Sequence, residues 1–169
     1  TTLYAHWERD VHTLSLYKSD SDNKKPLSGA SFSLYCYENG SFYFVESFTT
    51  DLNGHISFSE IQTDMLYKLV EESPPNGYAI ITKEIFFKLI PAVNTVSFEF
   101  CDSEGNVTQT PGGVKGEYVT GNKTLSLTVK NVRGYELPST GGSGVFLYIL
   151  CGLILVLGPF VYGFGLRRR

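Results

Sequence analysis

The segment YKLVEESPPNGY, residues 67–78, sets the pattern by which the rest of this sequence can be interpreted. Tyr67 and Leu69 fall on one side of an extended chain, with the period of two that is typical of a half-buried β-strand. Glu71 continues the same phase, so the pattern predicts an acidic side chain that points inward. The run Pro74–Gly77 then favours a turn, which ends the strand.

The same alternation recurs in other short runs, and together they predict about seven strands. Asn39-Gly40 and Asn53-Gly54 each lie between two such runs and predict β-hairpins. No helical period is visible outside the C-terminal tail, so an all-β, Ig-like sandwich is expected over roughly 120 residues. The residues predicted to face inward are Leu14, Leu16; Phe32, Leu34, Cys36; Phe42, Phe44; Ile56, Phe58; Tyr67, Leu69; Val96, Phe98, Phe100; and Leu125, Leu127, Val129.

Two features leave alternatives open. The polar, Gly-rich segment Ser103–Lys123 is either a loose hairpin around Glu117–Thr120 or a flexible loop. Tyr35, Tyr37 and Tyr43 are expected to face outward, where they form either a binding surface or ordinary packing on a sheet face.

Three polar residues interrupt the inward-facing pattern in the same way. Lys18 is in phase with Leu14 and Leu16, Glu71 with its own strand, and Asn131 with the last apolar run. Each alone is compatible with a frayed strand end or a snorkelling lysine. All three together predict an amine, a carboxyl and a carboxamide that point into the core from three strands. Glu72 is out of phase and is expected to face solvent.

The composition excludes several classes of function. The net charge of −3 gives no global signal for nucleic-acid binding. His6, His12 and His55 have no partners at metal-binding spacing, and Asp51-x-Asn53-Gly54 lacks the glutamate of a calcium loop. With no nucleophile motif and no phosphate loop, we expect no cofactor, no metal and no enzyme activity with turnover.

The three cysteines allow at most one disulfide in the body of the protein, because Cys151 lies in the apolar tail. Cys36 is in phase with the inward residues of its strand, whereas Cys101 is out of phase with Phe98 and Phe100. Opposite phases favour two free thiols over a bridge.

The C-terminal tail has the composition of a membrane-spanning segment. Val145–Leu166 is almost free of polar side chains, and as a helix it would be roughly 33 Å long, enough to cross a hydrocarbon core. Arg167–Arg169 would then stay on the cytoplasmic side. The chain begins at Thr1 without a signal peptide, so we interpret it as the C-terminal part of a longer secreted precursor.

Immediately before this tail stands the motif Leu137, Pro138, Ser139, Thr140, Gly141. Motif, apolar span and basic end together resemble the cell-wall sorting signal of Gram-positive surface proteins. The resemblance implies that a sortase breaks the Thr140–Gly141 bond and transfers Thr140 to an amine of the peptidoglycan precursor or of another pilin. The membrane span would then be transient. The alternative is an ordinary single-pass anchor.

The body resembles the Cna B-type (SpaA-type, prealbumin-like) domains of Gram-positive adhesins and pilins. Four stretches carry the resemblance, namely Lys18–Asp20 with Pro26–Leu34, Thr50–Gly54 as the central hairpin, Tyr67–Tyr78 as the "E-box", and Leu127–Asn131 as the last strand. The resemblance implies a prealbumin-like fold and an intramolecular isopeptide bond between Lys18 and Asn131, promoted by Glu71.

A buried cluster of these three residues would favour the formation of such a bond. Desolvation favours the neutral forms of an amine and of a carboxylic acid, and a neutral Lys18 could attack the Asn131 side-chain carbonyl. A protonated Glu71 would polarise that carbonyl and move protons until ammonia leaves. The competing interpretation is a buried Lys–Glu ion pair with the asparagine as hydrogen-bonding partner.

These observations predict the following organisation: a linker over 1–10, the β-sandwich over 11–133, a linker with the sorting motif over 134–143, a transmembrane helix over 144–166 and a cytoplasmic tail over 167–169. We expect a structural stalk or pilin-like domain, attached to the wall of a Gram-positive bacterium. The alternatives are the spacer of an adhesin whose upstream domains bind a host or matrix ligand, and the anchor of a surface-bound hydrolase.

Overall fold

The computed structural model describes residues 10–134, which form two five-stranded sheets. This confirms the all-β sandwich; the described residues contain no α-helix, only a 3-10 turn at Thr120–Asn122. Ten strands are present instead of about seven. They are β1 (Val11–Asp20), β2 (Ser31–Glu38), β3 (Ser41–Thr49), β4 (His55–Gln62), β5 (Leu66–Ser73), β6 (Tyr78–Ile80), β7 (Glu84–Ala92), β8 (Thr95–Cys101), β9 (Val114–Val119) and β10 (Thr124–Arg133).

The first sheet has the strand order β4-β1-β10-β6, and β9 also pairs with β10. Its central feature is the parallel pairing of the first and last strands, in which Leu14 lies opposite Leu125 and Asp20 opposite Asn131. The β9–β10 pair is antiparallel and joined by the 3-10 turn. The hairpin alternative for the end of Ser103–Lys123 is therefore correct.

The second sheet is antiparallel, with the order β3-β2-β5-β7-β8. Strand β5, which contains Tyr67, Leu69 and Glu71, is central and pairs with β2 and β7. The two sheets bury their facing side chains between them. The most enclosed apolar residues of this core include Leu14, Leu16, Phe32, Leu34, Leu69, Phe87, Leu89, Leu125 and Leu127.

Strands β2 and β3 form the predicted hairpin at Asn39-Gly40, where both residues have positive φ angles of 49° and 87°. The prediction that Phe42 and Phe44 face the core is wrong. The pairing register shifts between Leu34 and Tyr35, where Val45 is the extra residue of β3, and a bulge reverses the faces on one side of it. Phe44 consequently lies against Tyr35 on the outer face and is 60% exposed.

The second predicted hairpin, at Asn53-Gly54, is also wrong. The strand before this turn, β3, belongs to one sheet and the strand after it, β4, pairs with β1 in the other, so the turn crosses between sheets. Gly54 has a φ of 68°, and a Cβ there would approach the Lys18 carbonyl oxygen to 2.4 Å. The glycine is required by this close approach of two backbones.

The two cysteines of the described part are free, as expected, and both are buried. Cys36 lies on the inward face of β2, whereas Cys101 pairs with Phe86 on the opposite face of its sheet. The predicted transmembrane helix, the sorting motif and the basic tail lie outside the described residues, as does most of the N-terminal linker. Within residues 10–134, no helix is long and apolar enough to cross a membrane.

Candidate functional site

The three polar residues that interrupt the apolar pattern all lie in the core. Lys18 extends the inward face of β1, Asn131 that of β10, and Glu71 that of β5. Lys18 and Glu71 are each 1% exposed and Asn131 is fully buried, whereas Glu72 faces solvent as expected. Because β1 and β10 belong to one sheet and β5 to the other, the three side chains meet between the sheets.

Their polar atoms form a closed set of short hydrogen bonds. Lys18 Nζ donates to Glu71 Oε2 at 2.8 Å and to Asn131 Oδ1 at 2.6 Å. Asn131 Nδ2 in turn donates to Glu71 Oε1 at 2.6 Å. Each side chain therefore contacts the other two, across sequence separations of 53, 60 and 113 residues.

The electrostatics of the cluster are dominated by burial. Burial lowers the pKa of Lys18 below its ordinary value of 10.5, and the hydrogen bond and charge of Glu71 oppose this only in part. The Phe32 ring, whose centroid is 5.6 Å from Nζ, also favours the ammonium form. Loss of its proton would leave Lys18 as a neutral amine, which a buried site tolerates better than an ammonium ion.

The position of the Glu71 carboxyl differs from the sequence-based expectation. One carboxyl oxygen contacts the lysine nitrogen and the other contacts the carboxamide nitrogen of Asn131. Polarisation of the carbonyl would require contact with Oδ1, which is occupied by Lys18. The arrangement instead fits a group that exchanges protons with two nitrogens.

A buried aspartate beside the cluster was missed by the sequence analysis. Asp20 is fully buried at the end of β1, on the same face as Lys18. Its Oδ1 accepts from the backbone N–H of Asp22 at 2.7 Å, and its Oδ2 accepts from the Tyr78 hydroxyl at 3.0 Å and from Arg133 Nε at 3.4 Å. The signal was available, because the period of two that connects Leu14 to Lys18 extends to Asp20.

Asp20 should make the stability of the domain sensitive to acid. The Asp22 N–H first, and then Tyr78, Asn23 and Arg133, outweigh burial and lower its pKa from 3.8 to about 2. The stabilisation is therefore complete above the unfolded-state pKa near 4 and is lost as the pH falls through about 2.

We expect Asp20→Asn to lose this dependence. Urea unfolding midpoints measured from about pH 5 down to about pH 1, a range that contains the whole window, should converge for the variant and the parent as the pH falls. Asp22→Asn, at the exposed neighbouring position, serves as the control and should follow the parent curve. Parallel curves for parent and Asp20→Asn would contradict the assignment.

Two other predictions from the sequence concern the sorting motif and metal binding. The motif residues Leu137, Pro138, Ser139, Thr140 and Gly141 lie outside the described part. Among residues 10–134, no group of three or more histidine, cysteine or acidic side chains is placed to hold a metal ion.

Comparison with solved structures identifies the fold. A C-terminal fragment of the pilus adhesin SpaC from Lactobacillus rhamnosus GG matches with a TM-score of 0.57 and 20% identity, over 77% of this chain and 48% of that one. The open conformation of the same adhesin matches with a TM-score of 0.55 and 22% identity, over 77% of this chain and 15% of that one. This chain thus spans less than half of either structure. No match was found among curated proteins.

Comparison with protein families gives the more specific result. The SpaA family, described as a prealbumin-like fold domain, matches residues 12–104, which is more than half of the chain. The matched range covers β1 to β8 and includes two of the three clustered polar residues, Lys18 and Glu71. With the two-sheet architecture described above, the match establishes that this chain belongs to the family of SpaA prealbumin-like fold domains.

Proposed function

We propose that this domain is a self-crosslinked structural stalk of pilin type, attached to the bacterial wall through Thr140. The single observation that carries the proposal is the closed contact between Lys18, Glu71 and Asn131 in the core. An amine and a carboxamide in direct contact, with a carboxyl group touching both, are the reactants and the acid–base catalyst of an isopeptide bond.

The reaction balances without any external reagent. Lys18 passes a proton to Glu71, and the neutral Nζ attacks Cγ of Asn131. Glu71 delivers that proton to Nδ2 and takes a second one from Nζ, which its other oxygen contacts. The Cγ–Nδ2 bond breaks and ammonia leaves, while the Nζ–Cγ amide remains and Glu71 keeps the second proton. The two carboxyl oxygens already contact the nitrogen that loses a proton and the nitrogen that gains one. Folding supplies the proximity, so each chain reacts once and no turnover is involved.

The position of the bond suits a domain under tension. β1 and β10 are parallel neighbours, so a force that pulls Val11 and Arg133 apart acts on opposite ends of the pair. A covalent link from Lys18 to Asn131 would pass this force directly from the first strand to the last. Nearly all of the fold, from β2 to β9, would then lie outside the load path.

Attachment to the wall is supported by the sequence that follows the domain. Leu137–Gly141, the apolar span and the terminal arginines have the order of a sorting signal. Pro138 biases Leu137 to an extended conformation that an enzyme groove can hold. The likeness of the fold to a fragment of a pilus adhesin is consistent with a role at the cell surface.

One experiment in cells tests both parts of the proposal. The precursor, with an export signal added, is expressed in a Gram-positive host that has sortase, and wall and membrane fractions are treated with trypsin. We expect the parent protein to be wall-linked and resistant, because a crosslinked domain opens rarely. Thr140→Ala should stay in the membrane fraction. Lys18→Met should be wall-linked but cleaved by trypsin.

Each variant serves as the control for the other. Thr140→Ala should keep the protease resistance of the parent, and Lys18→Met should keep its wall attachment. Wall-linked Thr140→Ala would contradict the sorting assignment. Equal resistance of Lys18→Met and the parent would contradict a stalk that depends on its crosslink.

A further inference from the structure

A second polar site lies where β1 begins, away from the Lys18 cluster near its end. A cavity of about 280 Å³ opens there between the start of β1, the β7–β8 turn and the β9–β10 connection. Asp10, His12, Tyr118 and Lys123 contribute the titratable groups of its wall. The proposed stalk function uses none of these residues.

His12 is held in one orientation, and one of its two ring nitrogens makes no hydrogen bond. The side chain is 2% exposed, and its Nδ1 shares a hydrogen bond of 2.7 Å with the Tyr118 hydroxyl. Its Nε2 is buried and has no hydrogen-bond partner. A buried polar atom without a hydrogen bond is costly, and here it belongs to a ring that lines a cavity.

Asp10 provides a second ligand atom beside this nitrogen. Asp10 Oδ2 lies 3.5 Å from His12 Nε2. The other oxygen, Oδ1, accepts a hydrogen bond from Lys123 Nζ at 2.5 Å. Positions 10 and 12 fall on the same face of an extended chain, which is why two residues so close in sequence converge.

We propose that Asp10 and His12 form a half-site for a divalent zinc ion, bound by Asp10 Oδ2 and His12 Nε2, with water completing the coordination from the cavity. Zinc bonds to histidine nitrogen and carboxylate oxygen are about 2.0–2.2 Å long. Two such ligand atoms 3.5 Å apart subtend an angle of about 115° at the ion, close to tetrahedral.

The groups behind the two ligands have the roles expected of a metal site. The Tyr118 hydroxyl oxygen can accept a hydrogen bond from the Nδ1–H tautomer of His12, which leaves the Nε2 lone pair free to bind the ion. Lys123 holds the second oxygen of Asp10 and so restricts Oδ2 to a single direction. The Lys123 charge and the two-ligand set both limit affinity, so the site is an open one and not a closed structural centre.

The test is a calorimetric titration of the whole chain, in detergent, with zinc chloride. We expect binding that weakens at least tenfold in Asp10→Asn and in His12→Gln. Tyr118→Phe leaves both ligands in place, and it should weaken binding about 10–100-fold, as the loss of an orienting partner does. Asp10 is 55% exposed, so its substitution leaves the fold intact even if that of buried His12 does not.

Two histidines provide matched controls. His55 is hydrogen-bonded to Ser15 on β1, and His6 is close to the site in sequence. The variants His55→Gln and His6→Gln should both bind zinc as the parent does. Zinc affinity that is unchanged in Asp10→Asn would overturn the proposal. So would affinity that falls with His6→Gln alone, or the absence of any binding by the parent.

Discussion

The folded domain, produced without sortase, should have an intact mass one ammonia below that of its sequence. The loss follows from the proposed reaction of Lys18 Nζ with the Asn131 carboxamide, whose oxygen lies 2.6 Å from Nζ. Mass spectrometry of the chain truncated after Gly134 gives the result directly, since the strands and the core lie wholly before that residue. The effect is all-or-none for each molecule.

Three variants identify the atoms involved. Lys18→Ala removes the nucleophile, Asn131→Ala removes the leaving group and Glu71→Ala removes the proton carrier, so each should restore the full mass. Glu72→Ala is the matched control, because Glu72 is the next acid along β5 but faces solvent. It should keep the loss.

Trypsin digestion of the unfolded protein locates the bond. An acylated Lys18 resists cleavage, so residues 10–24 should be recovered as a branched species with residues 131–133. A mass deficit that persists in all three active variants would refute the assignment, and so would separate linear peptides from the parent.

The clustered residues were predictable because each continues an apolar phase. Leu14 and Leu16 define the inward face of β1, and a strict period of two then places Lys18 on that face whatever its charge. What the local pattern lacks is strand order. That β1 and β10 are parallel neighbours depends on pairing between residues more than a hundred positions apart, which alternation does not encode.

The errors in the fold have equally specific causes. β7 was missed because its outward positions Phe86 and Ile90 are apolar too, which hides the alternation of the buried Ile85, Phe87 and Leu89. Phe44 was assigned to the wrong face because one bulged residue reverses the phase without changing the composition. Asn53-Gly54 has the chemistry of a hairpin turn, but the same chemistry also serves a crossing between sheets.

Loss of the crosslink should lower the melting temperature of the domain by about 15–25 °C, because a bond across a loop of this length is worth about 5 kcal/mol in the chain-entropy model. The most informative variant is the double substitution Lys18→Met with Glu71→Gln. It removes both charges while it keeps the side-chain volumes, and the new amide can still bond Asn131. The variant therefore lacks the crosslink without leaving an unpaired charge in the core.

This design separates the covalent bond from the buried ion pair by the sign of the result. Replacing a buried ion pair with apolar or neutral groups of similar volume is often neutral, or stabilises a protein by about 1–4 kcal/mol. Removing a crosslink frees the unfolded chain and should destabilise the fold. A melting temperature for the double variant equal to or above that of the parent would therefore assign Lys18, Glu71 and Asn131 to an ion pair. A large decrease in melting temperature, together with an ammonia deficit in the parent but not in the variant, would require the bond. A buried ion pair must first overcome the desolvation of two charges, so its net energy is too small to account for such a decrease.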